Sequence, residues 1–203
     1  MQSLLLDFST TMTTHTEPVI IVSGLPRSGT SMMMSMLVAG GVPAMTDAIR
    51  TADEDNPKGY FELEKVKELA KDNRWLGDAG GRAVKIISAL LKHLPGDYRY
   101  KIIFMRRNMQ EILASQRQML MRRGEPSDTV SDERMAEMFR KHLTEVEGWL
   151  ARRPNVEVLY VNYNRMLDAP APLIAAINDF LGVRLNTAAM TAVVDKTLHR
   201  QRA

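Results

Sequence analysis

Val19-Ile20-Ile21-Val22-Ser23-Gly24 runs directly into Leu25-Pro26-Arg27-Ser28-Gly29-Thr30-Ser31. The first four residues are a short, apolar, β-branched run, the pattern of a strand buried on both faces, and Ser23-Gly24 stops it. From about Ser28 the apolar spacing turns helical, through Met32, Met33, Met36 and Leu37, until Gly40-Gly41 closes the segment. Glycine is the residue of choice for the left-handed position past a helix end. A glycine-bearing loop between a strand and a helix suits a phosphate. The first N–H groups of the helix lack intrahelical partners, the helix dipole is positive there, and glycine lets the main chain come close to an anion.

The same alternation continues outward from this unit. Arg82–Ile87, Tyr100–Met105 and Val156–Val161 read as further strands. Helices are expected over Glu62–Leu76, Leu90–Leu94, Met109–Arg123 and Pro170–Leu181, the last with proline in its first turn and Gly182 past its end. Another helix carries Met135, Met138, Phe139, His142, Val146, Trp149 and Leu150 on one face. The methionines near Met33 and the histidine at His142 read as core residues. Strands alternating with helices predict an α/β fold of three layers, with a central parallel sheet of four or five strands between helices. Ligands of such sheets bind beyond the carboxyl ends of the strands, so the loops after Val22, Ile87, Met105 and Val161 should line one site. Residues 1–17 read as a loose leader and 18–203 as a single domain. The polar stretch Val42–Tyr60 reads as a functional loop, and Met121–Met135 as a mobile lid.

Composition narrows the classes. The chain has 203 residues, 45% of them hydrophobic, enough for one sizeable core. With 27 basic against 24 acidic side chains the net charge is only +3, which excludes a polybasic nucleic-acid arm or an acidic tail. There is no cysteine, so disulfides, thiolate metal sites and cysteine nucleophiles are excluded. His15, His93, His142 and His199 have no metal-ligand spacing. No apolar run reaches about 18 residues, so no membrane span is expected. A cytoplasmic protein acting without membrane or nucleic acid is the expectation.

The loop itself departs from the common triphosphate pattern, which ends in Gly-Lys-[Ser/Thr]. Here Thr30-Ser31 follows Gly29, and the cation comes earlier, at Arg27. The strand that would carry a metal-binding aspartate ends in Phe104-Met105-Arg106-Arg107 instead. A phosphate cradle with arginine counter-charges and no evident metal is what remains.

Pro26-Arg27-Ser28-Gly29-Thr30-Ser31 resembles the 5′-phosphosulfate loop of sulfotransferases that use 3′-phosphoadenosine-5′-phosphosulfate (PAPS). Arg107-Asn108 with Ser115 eight positions after the arginine is similar to that family's 3′-phosphate motif. An arginine at a strand end and a serine two turns into the next helix can grip one phosphate from two sides. The resemblance runs in order from about Pro18 to Arg202. It implies a P-loop-like fold, PAPS as donor, 3′-phosphoadenosine 5′-phosphate (PAP) as product, and no metal. It further implies that Tyr163 approaches the adenine and that Arg200 and Arg202, in the basic tail, close over the 3′-phosphate. Two positions depart from the pattern. Met32 stands where an aromatic residue usually stacks on adenine, and Ile87 stands where a histidine usually serves as base.

The base must then come from elsewhere. Glu62 is the first choice, with Asp47, Asp53 and His93 as alternatives. Lys85, in an otherwise apolar strand, is expected to meet the sulfuryl group. Arg27 is expected at the 5′-phosphate, and Arg106 is the runner-up to Arg107. The expected reaction is in-line sulfuryl transfer to a hydroxyl, less readily an amine, of a small molecule, glycan or peptide. The alternatives are a divergent kinase using ATP and a catalytically silent nucleotide-binding protein.

Overall fold

A computed structural model describes residues 17–47, 61–126 and 130–194. Strand β1 (Val19–Gly24) is buried along its whole length, between β2 (Ala83–Lys85) and β3 (Tyr100–Arg106), and β4 (Val156–Asn162) lies beyond β3. All pairings are parallel in the order β2-β1-β3-β4, with Val22 beside both Lys85 and Ile103. The expected α/β sheet is therefore present, with four strands.

Alternation along β1 sends its side chains into two cores. Ile20 and Val22 pack with Met33, Met34, Met36 and Leu37 of helix α1 (Thr30–Gly40) on one face. Val19 and Ile21 pack with Trp75, Leu76, Val146 and Leu150 on the other. The α1 methionines 33, 34 and 36 are fully buried, so they fill core as expected, the unbranched thioether adapting to irregular gaps. Helices α2 (Met109–Arg122), α3 (Asp132–Leu150), α4 (Tyr163–Asp168), α5 (Pro170–Leu181) and α6 (Thr187–Val193) complete the layers.

The region expected as one helix, Glu62–Leu76, is instead two short 3-10 turns, Glu64–Glu68 and Arg74–Asp78. Val66 and Leu69 are three apart, a spacing that a 3-10 turn buries as readily as an α-helix. Asp72 separates the turns, its carboxylate accepting both the N–H and the guanidinium of Arg74. This local Asx geometry competes with a continuous helix. Helix Leu90–Leu94 likewise proves to be a 3-10 segment, Ser88–His93. The expected leader, apart from Glu17, lies outside the described residues, as do Asp53, Asn56–Tyr60, Arg200 and Arg202. The lid expected at Met121–Met135 is partly outside them. Its described ends are the last turn of α2, residues 123–126, and the start of α3. No helix among the described residues is long and apolar enough to cross a membrane.

Candidate functional site

The turn after β1 is shaped by its own backbone. Ser28 donates both its N–H and its hydroxyl to the Leu25 carbonyl, at 3.2 and 2.7 Å. Ser28 is 1% exposed, so its hydroxyl, expected among the phosphate donors, shapes the loop from inside. Pro26 sits exposed at the turn. Arg27 adopts φ 68°, a left-handed conformation uncommon for a residue with a Cβ and frequent at functional sites. Gly29 follows at φ 97° and stands at the N-cap of α1. Having no side chain, it cannot cap the helix, and α1 has no acid in its first turn. Thr30 and Ser31 open that turn. The positive end of the helix therefore has neither a side-chain cap nor a first-turn acid, an arrangement that suits an anion.

The left-handed turn aims Arg27 across the sheet end toward α2. Its Nε donates to Ser115 Oγ at 2.9 Å, over a separation of 88 residues. Arg107 arrives from the end of β3 and donates Nη1 to the Arg27 carbonyl at 3.1 Å. Its Nε donates to Glu111 at 2.8 Å, and its guanidinium carbon lies 4.5 Å from the centre of the Tyr163 ring. Tyr163 is buried at 6% exposure between that guanidinium and Gly29. Arg27, Ser115, Arg107 and Tyr163 are therefore one cluster. Arg106, the runner-up, points away: it is exposed, pairs with Glu147 at 2.6 Å and covers the Tyr160 ring. Adjacent strand residues face opposite sides, which separates the two arginines.

Beside this cluster, at the end of β2, Lys85 Nζ lies 3.6 Å from Glu62 Oε1. The lysine side chain is only 10% exposed and the glutamate 32%, so the charges offset each other in a partly dry setting. A short strap places Glu62. Ala83 donates its N–H to Pro43 O and accepts from Met45 N, both at 2.8 Å. Thr46 Oγ1 and Asp47 N then hold the Glu62 carbonyl, at 2.9 and 3.2 Å. The Asp47 carboxylate accepts the Glu64 N–H at 2.6 Å, so this alternative base caps a 3-10 turn. Phe61, directly before Glu62, has φ 51°. Ile87, at the family's histidine position, is 44% exposed at the rim.

His93 closes the 3-10 segment after β2 and is half-buried. His142, expected in the core, is only half-buried, and it meets the buried Ser88 hydroxyl at 2.8 Å across the α3 interface. Several site residues escaped the sequence reading. Glu111 and Asn164 support Arg107. Ser23 Oγ, on β1, and Gln116 Oε1, next to Ser115, are buried without a hydrogen-bond partner among the described residues. Such groups call for an explanation, and both lie close in sequence to residues of the cluster. Only Glu111 carried a readable signal, the four-residue spacing from Arg107.

The sulfotransferase domain family matches the chain over residues 17–201. Among solved structures, the chain is similar to the sulfotransferase STF1 of Mycobacterium tuberculosis (TM-score 0.57, 16% identity, 89% of this chain and 71% of that one). It is also similar to mouse sulfotransferase SULT7A1, solved with PAP (TM-score 0.52, 18% identity, 92% of this chain and 66% of that one). A third likeness is the sulfotransferase domain of the Synechococcus PCC 7002 olefin synthase (TM-score 0.51, 16% identity, 92% and 84%). At these identities the structural likenesses establish a common fold. No curated protein matches the chain in sequence.

Proposed function

The chain belongs to the sulfotransferase domain family, and from that premise we propose that it transfers a sulfuryl group from PAPS to an acceptor hydroxyl by in-line displacement, releasing PAP. The observation that carries the reading is the cluster in which Arg27, Arg107 and Ser115 meet at the mouth of an uncapped helix. Two guanidinium groups and a hydroxyl beside free-standing first-turn N–H groups suit a ligand with phosphate at two ends. Arg107 and Ser115 hold the 3′-phosphate, while the loop 26–31 and Arg27 hold the 5′ end. Tyr163, beneath Arg107, forms the wall next to the adenine. Arg200 and Arg202 belong to the proposed closure over the 3′-phosphate.

The donor supplies the sulfuryl group; the chain's residues supply position and charge. Arg27 stabilises the negative charge that grows on the departing 5′-phosphate. Lys85 neutralises the sulfuryl oxygens. Glu62, held at Lys85 by the 43–47 strap, takes the proton of the acceptor hydroxyl. The acceptor is a small molecule, or the reactive end of a glycan or peptide.

PAP at 100 times its Kd adds about 2.7 kcal/mol of stability. At about 2–4 °C per kcal/mol for a chain of this size, the melting temperature should rise by roughly 5–10 °C. Arg107→Ala should weaken PAP by roughly two orders of magnitude, read by calorimetry. No thermal shift with millimolar PAP on the wild-type chain refutes the donor assignment. Glu62→Gln should lower kcat roughly 10²–10⁴-fold with PAP affinity kept. A wild-type rate from that variant removes Glu62 from proton transfer and leaves Asp53 or His93 to take its place.

A further inference from the structure

We propose that Glu111 is a positioning residue for the 3′-phosphate, fixing the plane of the Arg107 guanidinium before the donor arrives. This rests on the donor assignment made above. Glu111 lies in the first turn of α2, where any acid is favoured by the helix dipole. That preference would be met by an exposed carboxylate, yet Glu111 is 4% exposed and its partner's side chain 8%. Two charges taken out of water are compensated only when they are paired and their remaining hydrogen-bonding sites are filled. Both Glu111 oxygens meet that condition. Oε2 accepts from Arg107 Nε at 2.8 Å, and Oε1 accepts from Asn164 Nδ2, on α4, at 2.7 Å.

Arg107 is thereby held from three elements. Glu111 of α2 takes Nε, the Arg27 carbonyl of the phosphate loop takes Nη1, and Tyr163 of α4 lies under the guanidinium face. A long, flexible side chain has lost its freedom in advance, so the ligand need not impose that order. The network also links α4 to α2 through Asn164 and Glu111. Nothing in this arrangement raises affinity by charge. Glu111 is negative and opposes an incoming phosphate.

That opposition makes the proposal testable by sign. Glu111→Gln keeps the shape and removes the negative charge. A mere charge compensator, once removed, would leave Arg107 more attractive and PAP binding tighter. A positioning residue, once removed, leaves Arg107 loose and PAP binding weaker. Calorimetric Kd values for PAP and for adenosine 5′-monophosphate, which lacks the 3′-phosphate, separate the cases. E111Q should bind PAP roughly tenfold more weakly and adenosine 5′-monophosphate as the wild type does, so the preference between them falls by the same factor. Asn164→Ala, which removes the second support of the carboxylate together with a long 3.5 Å contact from the Asn108 N–H, should reduce the preference in the same direction by a smaller factor. If E111Q fails to fold, N164A decides by the same ratio. Tighter PAP binding, an unchanged ratio, or equal losses for both nucleotides overturns the proposal while the donor assignment stands. A wild-type protein with no preference for PAP overturns both.

Discussion

Arg27→Ala is expected to lower kcat roughly 10²–10³-fold, the usual loss when one preorganised donor is withdrawn from a developing charge. The local geometry makes this substitution unusually clean. Arg107 is bound by the carbonyl of residue 27, a backbone group that alanine retains. The second guanidinium and its Glu111 support therefore stay in place, and PAP affinity should fall far less than turnover. Ser115, 7% exposed, loses the Arg27 N–H that it accepts, a change of about 1 kcal/mol. That corresponds to a drop of only about 2–4 °C in Tm. Arg27→Lys should recover little, because an ammonium on a flexible stem cannot both meet Ser115 and face a phosphate as a planar fork does. Turnover is measured at saturating donor beside a PAP titration. An alanine variant with wild-type turnover removes Arg27 from the reaction, and a variant that loses nucleotide affinity in the same proportion makes it a binding residue only.

What the sequence made legible was whatever is written contiguously. The β1–loop–α1 unit occupies 22 consecutive residues, from Val19 to Gly40, and its strand, glycines and helix each follow from local sterics. Arg107 and Ser115 were readable because one short stretch carries both. The Glu62 region was misread because apolar residues at spacings of three and four do not separate an α-helix from 3-10 turns over so few residues. Helix α4, directly after the expected strand's end at Val161, is only six residues long, too short for its apolar spacing to declare it. Asn162, whose side chain accepts from Arg165 N at 2.9 Å, was its only start signal. Helix α6, capped in the same way by Asn186, is seven residues long, too short for periodicity to declare it. The Arg27–Ser115 bond had no signature at all. It joins residues 88 positions apart and depends on a left-handed arginine, which no pattern of residue types announces.

Gly29→Ala should destabilise the fold strongly for a single added methyl group. A Cβ at this position would press into the Tyr163 ring, 2.9 Å from Cε2 and closer still to Cδ2. The ring cannot retreat, since Tyr163 is 6% exposed and the Arg107 guanidinium lies on it. Overpacking of this kind costs about 1–3 kcal/mol, and holding an L-residue at φ 97° adds roughly 1–2 kcal/mol. Together they take about 3 kcal/mol from a domain whose whole stability is of order 5–15 kcal/mol, or roughly 6–12 °C of Tm. The two causes separate in a double-mutant cycle. Tyr163→Leu alone destabilises by removing ring contacts, but it also vacates the space that the alanine methyl needs. The double variant G29A/Y163L should therefore be more stable than the sum of the single losses by about 1–2 kcal/mol, measured by urea unfolding. Strict additivity would place the whole effect in the backbone angle, and Tyr163 would then have no part in keeping the phosphate loop open to its ligand.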